Sequence, residues 1–368
     1  MSIPTRSHVE IAQDELEGLI ALGHIGEGFA YAAKEGVDSK IGRLLVVIKH
    51  ALLLVLKTYK FAPKVIYFNS RLEILGCSRD FITIFLLRLF YWRKVGLMIK
   101  SHGSDLEVLN NKSFWMGKIV LPYLKKQVAA WLFLSSEEQK EVIANGYFDP
   151  EKIFVTKNIV RGYQFQKSND FRRNHQIAAN STILLFTGRL IREKGVYEVL
   201  DAFLQLANQY DLVLIIVGDG PAKKELEVIA GKANLGQKVI FTGFIPEQQV
   251  VPYYANSDML VFPTYFPEGF PMALFNAVAA GLQVVTTATR AAKDYLVEPH
   301  NCLWTEAENS NAVRDRIAEL LNSPVLAKTM AEHNVRTGKL FDRAHVCSEI
   351  SEIFHTISST FKNSKPAS

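Results

Sequence analysis

The sequence predicts an α/β protein of two domains, each built on a doubly wound parallel sheet, and three observations carry that reading. Short apolar runs alternate with helix-like segments along most of the chain, the signature of strands joined by crossover helices. Several of these runs, such as Leu212-Val213-Leu214-Ile215-Ile216-Val217, contain no polar residue, as expected for strands buried on both faces of a parallel sheet. Finally, 368 residues exceed what one hydrophobic core usually supports.

In the first half, Val65–Ser70 follows Pro63 and reads as a strand ending in polar residues, and Phe81–Trp92 as a helix. Strand Val95–Lys100 then runs into Ser101-His102-Gly103-Ser104-Asp105. A helix over 113–128, strand Ala130–Ser135 and a helix opened by Ser135-Ser136-Glu137-Glu138 come next, the last resembling a capping box. Phe154–Ile159 reads as the final strand of this half, and the polar run Gln166–Asn180 as a linker. A helical pattern returns at Phe341–Phe361.

The second half carries the chemistry. After the apolar strand Met259–Pro263, the stretch Pro267-Glu268-Gly269-Phe270-Pro271-Met272-Ala273-Leu274-Phe275-Asn276-Ala277-Val278-Ala279-Ala280-Gly281 joins an acidic, glycine-bearing loop to a small-residue helix. A helix beginning near Gly269 would turn the free amides of Gly269 and Phe270 toward the crevice at the strand ends, a setting that favours an anion. It would also place Asn276 about two turns inside the helix. Upstream, Gly188-Arg189-Leu190-Ile191-Arg192-Glu193-Lys194-Gly195 runs from a strand through a basic turn into a helix. Arg189 can grip phosphate oxygens bidentately, and Lys194 adds a compact charge. Val217-Gly218-Asp219-Gly220-Pro221 and Thr242-Gly243-Phe244 end two further strands in glycine turns.

In this order and spacing, over about residues 181–305, the segments resemble those of retaining glycosyltransferases of family 4, the glycosyl transferases group 1, with their G-R-x(4-5)-K-G clamp and E-x7-E region. The resemblance implies a GT-B fold: two Rossmann-like domains facing across a cleft, residues 1–165 for the acceptor and 166–340 for a nucleotide sugar. It also implies that 341–368 form a helix packing back on the first domain. Carried over residue by residue, it makes His102 and Glu268 catalytic. It assigns Arg189, Lys194, Gly218, Gly243, Phe244, Gly269, Phe270, Pro271 and Asn276 to donor binding. No metal and no cofactor are expected, since no Asp-x-Asp motif is present and the cations would neutralise the diphosphate. The sequence also departs from the family. Asn276 replaces the second Glu of E-x7-E, no strand is legible before Ala21-Leu22-Gly23-His24, and Ala288–Asp294 lacks the usual Gly-Gly turn, with Asp294 left to keep its acidic role.

The implied reaction is transfer of a hexose-type sugar, with retention, to a saccharide or lipid-linked saccharide in envelope polysaccharide biosynthesis. Two rivals stay open: a catalytically impaired binding or assembly subunit, motivated by Asn276 and the missing strand, and a nucleotide-sugar epimerase on the same fold.

Charge is concentrated in the first half. Residues 40–126 hold 16 Lys and Arg against 4 Asp and Glu, a net +12, whereas 158–368 hold 21 of each. No zinc pattern, helix-turn-helix or RNA-binding consensus accompanies the excess, so nucleic acid is not the expected partner; anionic lipid is. Phe81–Lys94 is either an interfacial element or an internal helix with cations suited to its C-terminal dipole. The apolar stretches Leu44–Val55 and Phe81–Trp92 fall short of the ~20 residues a bilayer span needs, and the first residues, Met1–Arg6, lack the apolar core of a signal peptide. Three scattered cysteines form neither a disulfide framework nor a metal spacing. The expected location is the cytoplasm, at the inner face of the membrane.

Overall fold

The structure, a computed structural model, describes residues 8–29, 39–103, 105–146, 148–162, 165–233 and 235–362. Met1–Arg6 and Ser104, singled out above, lie outside the described residues. The chain forms two compact units: residues 158–345 make one, and His8–Lys157 with the segment from Val346 onward make the other.

The N-terminal unit comprises α1 (His8–Ala21), α2 (Lys40–Phe61), β1 (Val65–Ser70), α3 (Ile74–Phe90), β2 (Gly96–Ser101), α4 (Leu121–Gln127), β3 (Ala130–Phe133), α5 (Ser136–Ala144) and β4 (Ile153–Val155). Its four strands are parallel and lie in chain order, β1-β2-β3-β4. Among the described residues no strand precedes Val65, so the sheet winds in one direction from its first strand to its last. All of β2 and β3 is buried, which is why both read as apolar runs.

Several boundaries differ from the sequence reading. α3 begins at Ile74, seven residues before the expected Phe81, and ends at Phe90 rather than Trp92. Gly76 and Ser78, poor helix formers, hide its first turns in the sequence. The expected helix 113–128 starts as a π-helical turn, Phe114–Val120, before α4, because Pro122 has no N–H to continue the ladder. Ser135 does cap α5, its Oγ accepting from the Glu138 amide at 3.2 Å and donating to the Glu138 carboxylate at 2.9 Å. β4 stops at Val155, opposite the last residue of β3, instead of reaching Ile159. The polar run 166–180 is ordered: Ser168 caps α6 (Asn169–Asn174), and Arg172 reaches the carbonyls of Ala178 and Ser181 and the carboxylate of Asp258.

The C-terminal unit continues with β5 (Thr182–Thr187), α7 (Val196–Leu206), β6 (Leu212–Val217), α8 (Lys223–Lys232), β7 (Val239–Gly243), α9 (Glu247–Asn256) and β8 (Met259–Phe262). It closes with α10 (Met272–Ala280), β9 (Gln283–Thr286), α11 (Arg290–Tyr295), β10 (Leu303–Trp304), α12 (Ser310–Asn322) and α13 (Pro324–Gly338). The six parallel strands are ordered β10-β9-β8-β5-β6-β7. Winding runs outward from β5 in one direction, then restarts at β8 in the other. The reversal between β5 and β8 opens a crevice at their carboxyl ends, the position where ligands bind in doubly wound sheets.

The last helix, α14 (Arg343–Lys362), belongs from Val346 to the N-terminal unit. There Glu349 pairs with Lys157, Phe354 meets Tyr67 edge-on, and the Cys347 thiol lies 3.6 Å from the Glu15 carbonyl oxygen.

Candidate functional site

Two loops meet at the β5/β8 reversal. The first, Gly188–Gly195, follows β5; the second, Pro263–Pro271, follows β8. Backbone bonds join them: the Glu193 carbonyl accepts from the amides of Tyr265 and Phe266, each at 3.0 Å. Gly195 has φ 75°, and a Cβ there would lie 2.4 Å from the Pro263 carbonyl oxygen, so only glycine permits this approach. The ends of β6 and β7 continue the wall. Gly188 donates to Val217, Gly218 donates to Gly243, and Leu190 donates to Asp219. At Gly218, φ is 147° and a Cβ would stand 1.9 Å from the Gly188 carbonyl oxygen. The motif glycines are therefore contact points between neighbouring strand ends.

These loops bring together two residues that the sequence reading assigned to different roles. Lys194 is buried, its ammonium ion-paired with the Glu268 carboxylate and lying 4.7 Å from the centre of the Phe266 ring and 5.7 Å from that of Phe262. Burial pushes the Lys194 ammonium down to about 7. The Glu268 side chain keeps 25% exposure, so the pair has one sealed and one open end. Arg189 is exposed on the same loop, and Phe244, beyond β7, is also exposed.

The helix after the acidic loop starts at Met272 with Pro271 as its N-cap, and not near Gly269. Proline disfavours helical geometry in the residue before it, which excludes Phe270 from the helix. The first free helical amides are then those of Met272 and Ala273, while Gly269 and Phe270 form the approach to it. The Phe270 side chain is buried, stacked on Phe275 at 3.9 Å and edge-on to Phe341 at 5.6 Å. It anchors the loop from below, and only its backbone faces outward chemistry. Asn276 lies about one turn into α10, where its side chain neighbours the Tyr254 phenol, which also neighbours Thr187 at the end of β5. Burial holds that phenol well above its ordinary range, so it remains neutral. Nothing in the pattern of α9 signals this role for Tyr254.

In the N-terminal unit, His102 directly follows β2 and is buried, its amide donating to the Ser70 carbonyl at 2.8 Å. Gly103, with φ 84°, turns the chain beside the Arg71 guanidinium, whose Nε donates to the His102 carbonyl at 3.3 Å. Asn69, at the end of β1, holds the His102 ring through Nε2. Among the described residues, no three His, Cys, Asp or Glu side chains gather as metal ligands would.

Comparison with known proteins agrees with this geometry. Residues 167–337 match the family described as glycosyl transferases group 1. The chain is 24% identical over 302 residues to the N-acetylgalactosamine-N,N'-diacetylbacillosaminyl-diphospho-undecaprenol 4-alpha-N-acetylgalactosaminyltransferase of Campylobacter jejuni, covering 79% of this chain and 80% of that protein. To a capsular polysaccharide biosynthesis glycosyltransferase of Staphylococcus aureus it is 21% identical over 323 residues, covering 84% and 81%. It spans only 51% to 66% of the length of three further curated relatives. In fold it is similar to Anabaena HepE, crystallised with UDP and glucose, with a TM-score of 0.72, 18% identity and coverage of 97% of this chain and 98% of that one. Residues 167–337 are thus similar to the glycosyl transferases group 1, and the fold of the chain is that of the GT-B glycosyltransferases.

Proposed function

We propose that this protein is a retaining glycosyltransferase that takes a hexose-type sugar from a nucleotide-sugar donor to a saccharide or lipid-linked saccharide acceptor in envelope polysaccharide biosynthesis. The observation that carries the reading is the buried Lys194–Glu268 pair at the β5/β8 reversal, beside exposed Arg189 and the start of α10. Cations and free helical amides converge there as a diphosphate requires, while the half-open carboxylate suits sugar hydroxyls. Arg189, Lys194 and the amides of Met272 and Ala273 stabilise the departing diphosphate. No covalent nucleophile is assigned; the leaving diphosphate helps deprotonate the acceptor on the same face of the sugar. Asn276, beside Tyr254, accepts one ribose hydroxyl in place of the two that a carboxylate would take. His102, in the N-terminal unit, faces the transferred sugar or its diphosphate.

Turnover of a panel of nucleotide sugars tests the reading. Release of nucleoside diphosphate from one or more of them, lost in Glu268→Ala, is the expected result. Binding without release would mark a ligand-binding subunit, and interconversion of sugar nucleotides without acceptor an epimerase.

The reading extends to an anionic bilayer at the cytoplasmic face. No helix among the described residues is long and apolar enough to cross a membrane. α3 buries Cys77, Ile84 and Leu87 and so is part of the core, yet its other face and that of α2 are apolar and exposed. Ile41, Leu45, Leu56, Leu75, Leu89, Trp92 and Phe114 are each 60% exposed or more, and Arg43, Lys49 and Lys60 stand exposed on α2. Apolar side chains interspersed with cations match a headgroup layer with anionic lipid. Vesicles containing anionic lipid are expected to bind the protein more than neutral ones, with the preference fading as salt shortens the Debye length from about 10 Å to about 3 Å. Equal partitioning onto both vesicle types would contradict it.

A further inference from the structure

A line of polar side chains in the N-terminal unit ends at His102. It begins at Lys100, in β2, whose side chain has no exposed surface. Burying an ammonium is costly unless its protons are satisfied. Lys100 Nζ donates to Glu15 Oε1 on α1 at 2.5 Å and to the Lys157 carbonyl at 2.8 Å. The Glu15 side chain is 1% exposed, and its second oxygen accepts from Asn69 Nδ2 at 3.3 Å. On its other side, Asn69 Oδ1 lies 2.5 Å from His102 Nε2.

Donor and acceptor rules settle the direction of each bond. A carboxylate only accepts, so the Asn69 atom facing Glu15 must be the amide nitrogen. That turns Oδ1 toward the imidazole, and because a carbonyl oxygen also only accepts, His102 Nε2 must carry the proton. The amide cannot flip without placing its oxygen against the carboxylate, and Lys100 pins the carboxylate. An apolar trio could fill the same space with less desolvation. Stability alone does not account for the line.

We propose that Glu15 and Asn69 are positioning residues for His102: the Lys100-anchored carboxylate fixes the Asn69 amide, and the amide fixes the imidazole as its Nε2–H tautomer, leaving Nδ1 as the accepting nitrogen. This rests on the reading of His102 as the group that faces the transferred sugar. The carboxylate stands one residue removed from the ring, unlike the Ser-His-Asp arrangement in which it touches the imidazole and stabilises the imidazolium. The line therefore favours a neutral ring that accepts a hydrogen bond from a hydroxyl.

Nitrogen-15 spectra of the histidine rings in the full chain read the tautomer directly, with His102 assigned through His102→Gln and the pH set where the ring is neutral. The expected result is an Nε2-protonated ring in the wild type and a mixture of tautomers in Asn69→Leu, which leaves the Lys100–Glu15 pair in place. An Nδ1-protonated ring in the wild type overturns the proposal even if no variant folds, and so does an unchanged spectrum in folded Asn69→Leu. Turnover of nucleotide sugars by His102→Gln separates the two ideas. If it equals the wild-type rate while the spectra come out as expected, the tautomer assignment stands, but His102 has no reaction to be positioned for and the proposal falls with that reading.

Discussion

Glu268→Gln is expected to lower turnover of the nucleotide sugar by about 10²- to 10³-fold, the scale seen when one preorganised electrostatic group is removed from a reacting centre. The substitution keeps the side chain's size and one acceptor oxygen, so it removes charge and little else. In the ligand-free protein that charge holds the Lys194 ammonium. The proposed reaction requires the lysine on the diphosphate and the carboxylate on the sugar once donor is bound, so both partners would change roles together. The rate should be measured near pH 6.5, below the Lys194 value of about 7, so that the ammonium is populated in the wild type. A Glu268→Gln rate within threefold of wild type, with the fold intact, would remove Glu268 from the chemistry.

Lys194→Met is expected to weaken binding of UDP by about 1 to 3 kcal/mol, the range for a charge-assisted bond in a partly desolvated site. Stability should move the other way or not at all. In the unfolded chain the lysine titrates near 10.4, whereas burial lowers it to about 7 in the folded protein. Between those values the unfolded chain holds a proton that the folded one has released, so stability rises with pH, and the residue's cost is felt as pH falls. Methionine fills the sealed space between Phe262 and Phe266 without that cost. Urea unfolding beside a UDP titration checks both halves. Lost stability with unchanged affinity would make Lys194 a structural residue.

The C-terminal unit was legible in the sequence because its physics is local. A parallel strand buried on both faces must be an unbroken apolar run; β5, β6 and β8 carry such runs, and the first two end directly in glycine turns. The motif residues stand at the ends of those strands, where ligands bind in doubly wound sheets, so the strand ends and the candidate site are legible together. Long-range contacts left no local trace. The pairing of Lys194 with Glu268 spans 74 residues, Asn276 meets Tyr254 from the preceding helix, and Asn69 and Glu15 reach His102 and Lys100 from other elements. The motif groups Phe270 with the expected donor-binding residues, and no local pattern shows that its ring packs under the loop against Phe275 and Phe341. The helix starts three residues later than the loop motif suggests because Pro271 keeps Phe270 out of helical geometry. In the first half, the concentration of cations was visible, but the broad exposed apolar face of α2 was not, since its leucines read as core until the packing shows which way they point.

The central claim is that a diphosphate binds at the β5/β8 reversal through the Lys194 ammonium. Calorimetric titration of UDP into the wild-type protein at pH 8, repeated in buffers of different ionisation enthalpy, tests it most directly. With the free lysine at about 7 and its value raised by the bound diphosphate, binding should take up a proton and grow weaker as pH rises from 7 to 8. Lys194→Met should bind more weakly and take up none. UDP binding with the same affinity and no proton uptake in both proteins would contradict the account.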